Sequence, residues 1–156
     1  MIQRIQTVFL ILVIIVQIVL FFTPLAVFIS DLSYYKLFLT NMKNMTPDSS
    51  LDMSFLIALP LAIMNSVIII IAGITIFKFK NRILQIRLNR FNILLIAILV
   101  VGILFGYPQW MLNRAGADVT YEYGAYLPLI SIVFLFIANI YIGKDEKLVR
   151  SADRLR

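Results

Sequence analysis

The chain contains no cysteine and no histidine. Without thiols there are no disulfides and no thiol redox chemistry, and without imidazole the usual zinc sites and histidine-ligated haem are excluded. Charge is scarce as well: Asp, Glu, Lys and Arg make up 14% of the 156 residues, against about a quarter in soluble domains. The acids are Asp31, Asp48, Asp52, Asp118, Glu122, Asp145, Glu146 and Asp153, and none lies inside a long apolar run, where an ionisable group would mark a functional path. Ser66 and Ser131 stand in or near such runs, but no histidine exists to activate them and neither sits in a Gly-x-Ser-x-Gly setting. Phosphate-cradling glycine loops and metal-ligand spacings are also missing. The expectation is a protein that is not an enzyme, with no cofactor, no metal site and no catalytic residue.

What the chain has in quantity is hydrocarbon. Apolar residues make up 62% and the mean hydropathy is +0.96, so the solvent for most of the chain is lipid. A pI near 9.8 would suggest nucleic acid if the bases formed a stripe on a soluble domain. Here they gather at the ends of apolar runs, and membrane topology accounts for them without a nucleic-acid partner.

Four apolar runs, at about 7–29, 53–77, 90–107 and 126–142, predict an all-α membrane protein. The expected fold is one four-helix transmembrane bundle over 1–156. The first run would measure ~34 Å as a helix, enough to cross a hydrocarbon core of about 30 Å. It is too long for a signal-peptide core and offers no small-x-small cleavage site, so it reads as a retained span. In the second run Ala58, Ala62, Ser66 and Gly73 fall roughly on one face with Asn65 beside them, the pattern of a helix face packed in a bundle. Asn65 needs a partner, for which Gln17 is the candidate, and Asn139 is a third intramembrane polar contact. A polar substrate site around Gln17 and Asn65 is the alternative. Packing explains them more simply, because neither residue ionises. Gly102 and Gly106 form a GxxxG pattern. It reads as close packing within the chain or a helix end before Pro108, with a homodimer face as the sharper alternative.

Between the first two runs, 30–54 is the longest polar connection. Leu32, Tyr35, Leu39 and Met42 have near-helical spacing, which suits a short interfacial helix, while a strand pair fits as well. The stretch 46–50 reads as a turn, with Ser49 and Asp52 resembling a capping box.

The stretch 78–90 carries Lys78, Lys80, Arg82, Arg87 and Arg90 and no acid. It reads as a cytoplasmic turn. Counting Lys and Arg by side puts eleven of fourteen together, on the N-terminus, this turn and the tail, so the positive-inside rule predicts both termini in the cytoplasm. Trp110 and six of seven tyrosines fall on the other side, as an aromatic belt would. The tail, 143–156, predicts a short cytoplasmic amphipathic helix: Leu148, Ala152 and Leu155 share a face, and Glu146 and Arg150 form an i,i+4 pair. It is either docked on the bundle or a partner, or an idle solvated end. Lys147, Arg150 and Arg154, with the five bases of the turn, are the candidate contacts for a protein partner or for membrane lipids.

The opening MIQRIQT and the closing KDEKLVRSADRLR, with the basic turn and Leu127-Pro-Leu-Ile, resemble a family of small four-span membrane proteins of unknown function from Bacteroidota. The resemblance runs over the whole length and implies a bacterial inner-membrane location with this topology. It implies no activity and transfers no site residue. The sequence therefore points to an accessory or scaffold subunit presenting a cytoplasmic face to a membrane or cytosolic partner. A small oligomeric transporter or channel is the alternative.

Overall fold

The computed structural model describes residues 3–30, 33–45, 57–79, 81–116 and 118–154. The turn at 46–50, the Ser49–Asp52 cap, the first residues of the 53–77 run and Lys80 lie outside them, as do the side chains of Arg150, Ala152, Arg154 and Leu155.

Helix α1 (Gln3–Leu20) starts the chain, and α2 (Leu59–Phe77) follows a three-stranded excursion. Helix α3 (Arg82–Val101) continues through a π-helical segment (Gly102–Gly106) into α4 (Tyr107–Ala115). Helix α5 (Leu127–Arg154) ends the described chain. The helices form a ring: α1 packs on α2 and α5, and α3 packs on α2 and α5. Among the described residues three helical stretches are long and apolar enough to cross a membrane, Leu59–Phe77, Arg82–Asn113 and Tyr123–Val149, while Ile5–Leu20 is a shorter apolar helix. Their outward faces are apolar, with Ile63, Ile70, Ile98 and Phe136 among the exposed side chains. The inward faces mix apolar side chains with amides, and in lipid such polar groups must find partners inside the protein.

Two local rules replace the single 7–29 helix by something else. Thr23-Pro24 interrupts it, since a residue before proline is pushed toward extended backbone and proline lacks the N–H a helix needs. Helix α1 therefore stops at Leu20, and Pro24–Ser30 becomes strand β1. It joins β2 (Ser33–Phe38), β3 (Met42–Asn44) and β4 (Asp118–Tyr121) in an antiparallel sheet of order β3-β2-β1-β4. The all-α expectation is thus corrected: the molecule is mostly helical but carries a four-stranded sheet at one end. Of the two readings of 30–54, the strand pair is the one formed. Tyr35, Leu37 and Leu39 are buried at a period of two, while Lys36 and Phe38 between them are more exposed. Central strand β1 is buried on both faces from Leu25 to Phe28. A strand covered on both faces reads as an unbroken apolar run, which is why it passes for the end of a span.

Defined hydrogen bonds hold the sheet end of the molecule together. Pro108 offers no N–H to the carbonyl of Leu104, and the Tyr121 hydroxyl donates to that carbonyl at 2.6 Å. The Tyr107 hydroxyl donates to the Ile57 carbonyl at 2.5 Å, and the Glu122 N–H donates to the Leu25 carbonyl at 3.0 Å. The predicted helix end at Gly106 is corrected too. The π-helical segment carries the helix past Pro108, and it ends at Gly116, whose φ of +58° is the left-handed C-terminal geometry that glycine adopts without strain.

Candidate functional site

At the end opposite the sheet, the basic stretch is less a loop than the start of a helix. Only 78–81 turns. Asn81 caps α3 by accepting the Leu84 N–H at 3.1 Å, so Arg82, Arg87 and Arg90 are helical. Lys78, Arg87 and Arg90 are exposed. Arg82 instead pairs with Asp145 of α5, its Nε donating to Oδ2 at 2.7 Å, with the two side chains 20% and 12% exposed.

That ion pair decides between the two readings of the tail. Helix α5 passes straight through Gly143, so the expected separate short helix is corrected to a continuation of the last span. Its 28 residues extend ~42 Å. Beyond Asp145 it projects from the bundle with Lys147, Leu148 and Val149 exposed. The tail is docked on its own bundle through Asp145, and Lys147, Leu148 and Val149 beyond it are exposed. Lys144 lies over the Tyr141 ring at 5.6 Å, a cation–π contact at the same level.

Inside the bundle, amides are arranged in a column. Gln85 donates to the Thr75 carbonyl at 2.8 Å, Asn89 to the Leu135 carbonyl at 2.9 Å and Asn92 to the Ile68 carbonyl at 3.3 Å. Asn65 donates to the Gln17 main-chain carbonyl at 3.0 Å. The structure thus brings Asn65 and Gln17 together, through backbone and not side chain. Thr75 lies in the last turn of α2, so Gln85 serves one of the carbonyls a helix end leaves unpaired. In every case the amide nitrogen binds a neighbouring helix and the side-chain oxygen has no partner among the described residues. The same holds for the oxygens of Gln6, Gln17 and Asn139 and for the Ser131 hydroxyl. Acceptors left over in this way are the least satisfied part of the molecule, each costing about 1–3 kcal/mol when buried.

The glycines divide differently from the expectation. A Cβ at Gly73 or Gly106 would meet nothing within 4 Å, and one at Gly102 would make an ordinary 3.6 Å contact with Leu61. Gly73 and Gly106 thus face open space, while Gly102 stands beside Leu61 of α2 without requiring a glycine there. The close approach is at Gly124, where a Cβ would lie 2.3 Å from the Pro24 carbonyl oxygen.

Sequence reading missed Asp145 as a partner, and it missed Gln85, Asn89 and Asn92 altogether. The second omission had a signal: those three fall at i, i+4 and i+7, one face of a helix, and the surrounding bases drew attention away from them. Asp145 had none, since its partner is 63 residues away. Among the described residues no group of three or more carboxylates is gathered where a metal ion could sit.

Comparison with known proteins places the chain without assigning it a reaction. No curated protein matches it. Residues 2–155 match the family described as a domain of unknown function, DUF4293, which is all of the chain except its first and last residues. The chain belongs to that family, whose function is unknown.

Proposed function

We propose that the chain is a four-span protein of a bacterial inner membrane, with both ends cytoplasmic, acting as a non-enzymatic accessory or scaffold subunit. Its fourth span is α1, whose 18 residues reach ~27 Å and which lies in the ring beside two longer helices. The single observation that carries the functional reading is the Arg82–Asp145 ion pair. It pins α5 to the first turn of α3, so that the exposed Lys78, Arg87, Lys147, Leu148 and Val149 are held at the same end of the bundle. A fixed surface with aliphatic and basic side chains suits a protein partner better than a trailing charged end does.

The test is capture in mild detergent with the tagged chain, the chain truncated after Gly143, and Asp145→Ala. Partners held by the intact chain and lost from both variants support the reading. Identical partner sets for all three sink it. Orientation is tested separately: a reporter active only in the cytoplasm should work after Arg156 and fail near Ser49.

A second reading, a small oligomeric transporter or channel, is favoured by the column of amide oxygens without partners. Such acceptors would serve a passing donor or cation. Flux in reconstituted vesicles that falls when Gln17 or Asn65 becomes Leu would support it, and unchanged flux would remove it.

A further inference from the structure

Arg90 occupies an unusual place for a cation. Arg82 meets Asp145 at 2.7 Å, and seven residues further along α3 Asn89 reaches the Leu135 carbonyl, ten residues earlier on α5. The two helices therefore run antiparallel, and Arg90 lies ~12 Å past Arg82 along α3. There it faces the part of α5, 127–142, that contains no charged residue. Arg90 is exposed and has no ion-pair partner among the described residues, and the nearest acid by this register, Asp145, is engaged by Arg82.

The surface around it is a groove of about 520 Å³ between α3 and α5, within the range of about 300–1,000 Å³ usual for small-molecule sites. Ile93, Phe136 and Ile140 give it aliphatic and aromatic walls, and Asn139 adds one amide. Gly143 stands at its inner end, where an added Cβ would meet nothing within 4 Å. One end is thus open, the middle holds a guanidinium, and apart from Asn139 the remainder is apolar.

We infer that this groove holds one phospholipid, its phosphate on Arg90 and an acyl chain along Ile93, Phe136 and Ile140. A guanidinium against an apolar lipid-facing wall is costly without a counter-ion. Its planar fork matches two phosphate oxygens. The apolar helix of a second copy would cover the walls and leave Arg90 unpaired, whereas a phospholipid answers both features at once. The inference needs the groove to face lipid. It does not depend on the accessory or transport role, nor on which side is cytoplasmic.

Native mass spectrometry of the full chain in mild detergent tests it, using phosphatidylglycerol, phosphatidylethanolamine, diacylglycerol and inorganic phosphate as probes. The wild type should retain one phospholipid of either headgroup and no diacylglycerol, and inorganic phosphate should not displace it. Arg90→Gln should lower retention by about tenfold, as loss of a charged hydrogen-bonded pair does, with Arg87→Gln unchanged. Gly143→Leu should also lose the lipid by filling the open end, with Arg90 intact and a better helix former in α5. Trp110 fluorescence and helix content report folding of each variant. Wild-type retention in both Arg90→Gln and Gly143→Leu would overturn the site. So would equal loss in Arg87→Gln, equal binding of diacylglycerol, or displacement by phosphate alone.

Discussion

Replacing Gly124 by Ala should disrupt the sheet end of the molecule more than any other glycine-to-alanine change in the membrane bundle. The new Cβ would lie 2.3 Å from the Pro24 carbonyl oxygen, 2.9 Å from the Thr23 hydroxyl and 3.0 Å from the Pro24 carbonyl carbon. An ordinary C···O approach is about 3.3–3.6 Å, so one backbone must retreat by roughly 1 Å. The Pro24 backbone is poorly placed to do so. It opens the central strand, whose Leu25 carbonyl accepts from Glu122 at 3.0 Å and whose Ala26 is in register with Tyr121. Overpacking typically costs about 1–3 kcal/mol, and a clash with backbone belongs at the upper end. At about 2–4 °C per kcal/mol for a chain of this size, the midpoint should fall by roughly 6–12 °C. Thermal unfolding in detergent followed by Trp110 fluorescence measures this, because Trp110 packs against the same core. Adding Thr23→Ala should not rescue the variant, since the nearest contact is a main-chain oxygen. Gly73→Ala and Gly106→Ala enter open space and should be neutral or stabilise by about 0.5–1 kcal/mol. A Gly124→Ala protein that melts with the wild type, or a Gly106→Ala protein that melts well below it, would refute the reasoning.

The Arg82–Asp145 pair should couple in a double-mutant cycle by about 1.5–3 kcal/mol, the range for hydrogen bonds to charged groups. Hydrogen exchange in Asp145→Ala should accelerate over 144–154 and stay unchanged over 130–140; uniform exchange would deny the pair its anchoring role. Asn92→Leu removes a long 3.3 Å hydrogen bond and an oxygen without a partner, so stability should change by less than about 1 kcal/mol in either direction. A loss of several times that, measured in the same melts, would mean that the Asn92 oxygen is satisfied in the membrane.

Membrane character, the three long apolar helices and the lack of ionisable groups inside the apolar runs were legible because lipid imposes them through composition and run length alone. Run length needs no partner to be read. The gathering of bases around 78–90 was legible for the same reason, although the helix start at Asn81 turned most of that loop into α3. What only the tertiary structure decided depends on contacts between residues far apart in the chain. Strand β1 is a strand because β2 and β4 lie on its two edges, and its burial on both faces erased the alternation that would have announced it. Gly124 matters because Pro24 passes over it, one hundred residues earlier by numbering. Asp145 anchors the tail because the antiparallel packing of α3 and α5 delivers Arg82 to it, and the same packing leaves Arg90 on an apolar wall. A sequence states which charges exist; the register between helices determines which of them find a partner.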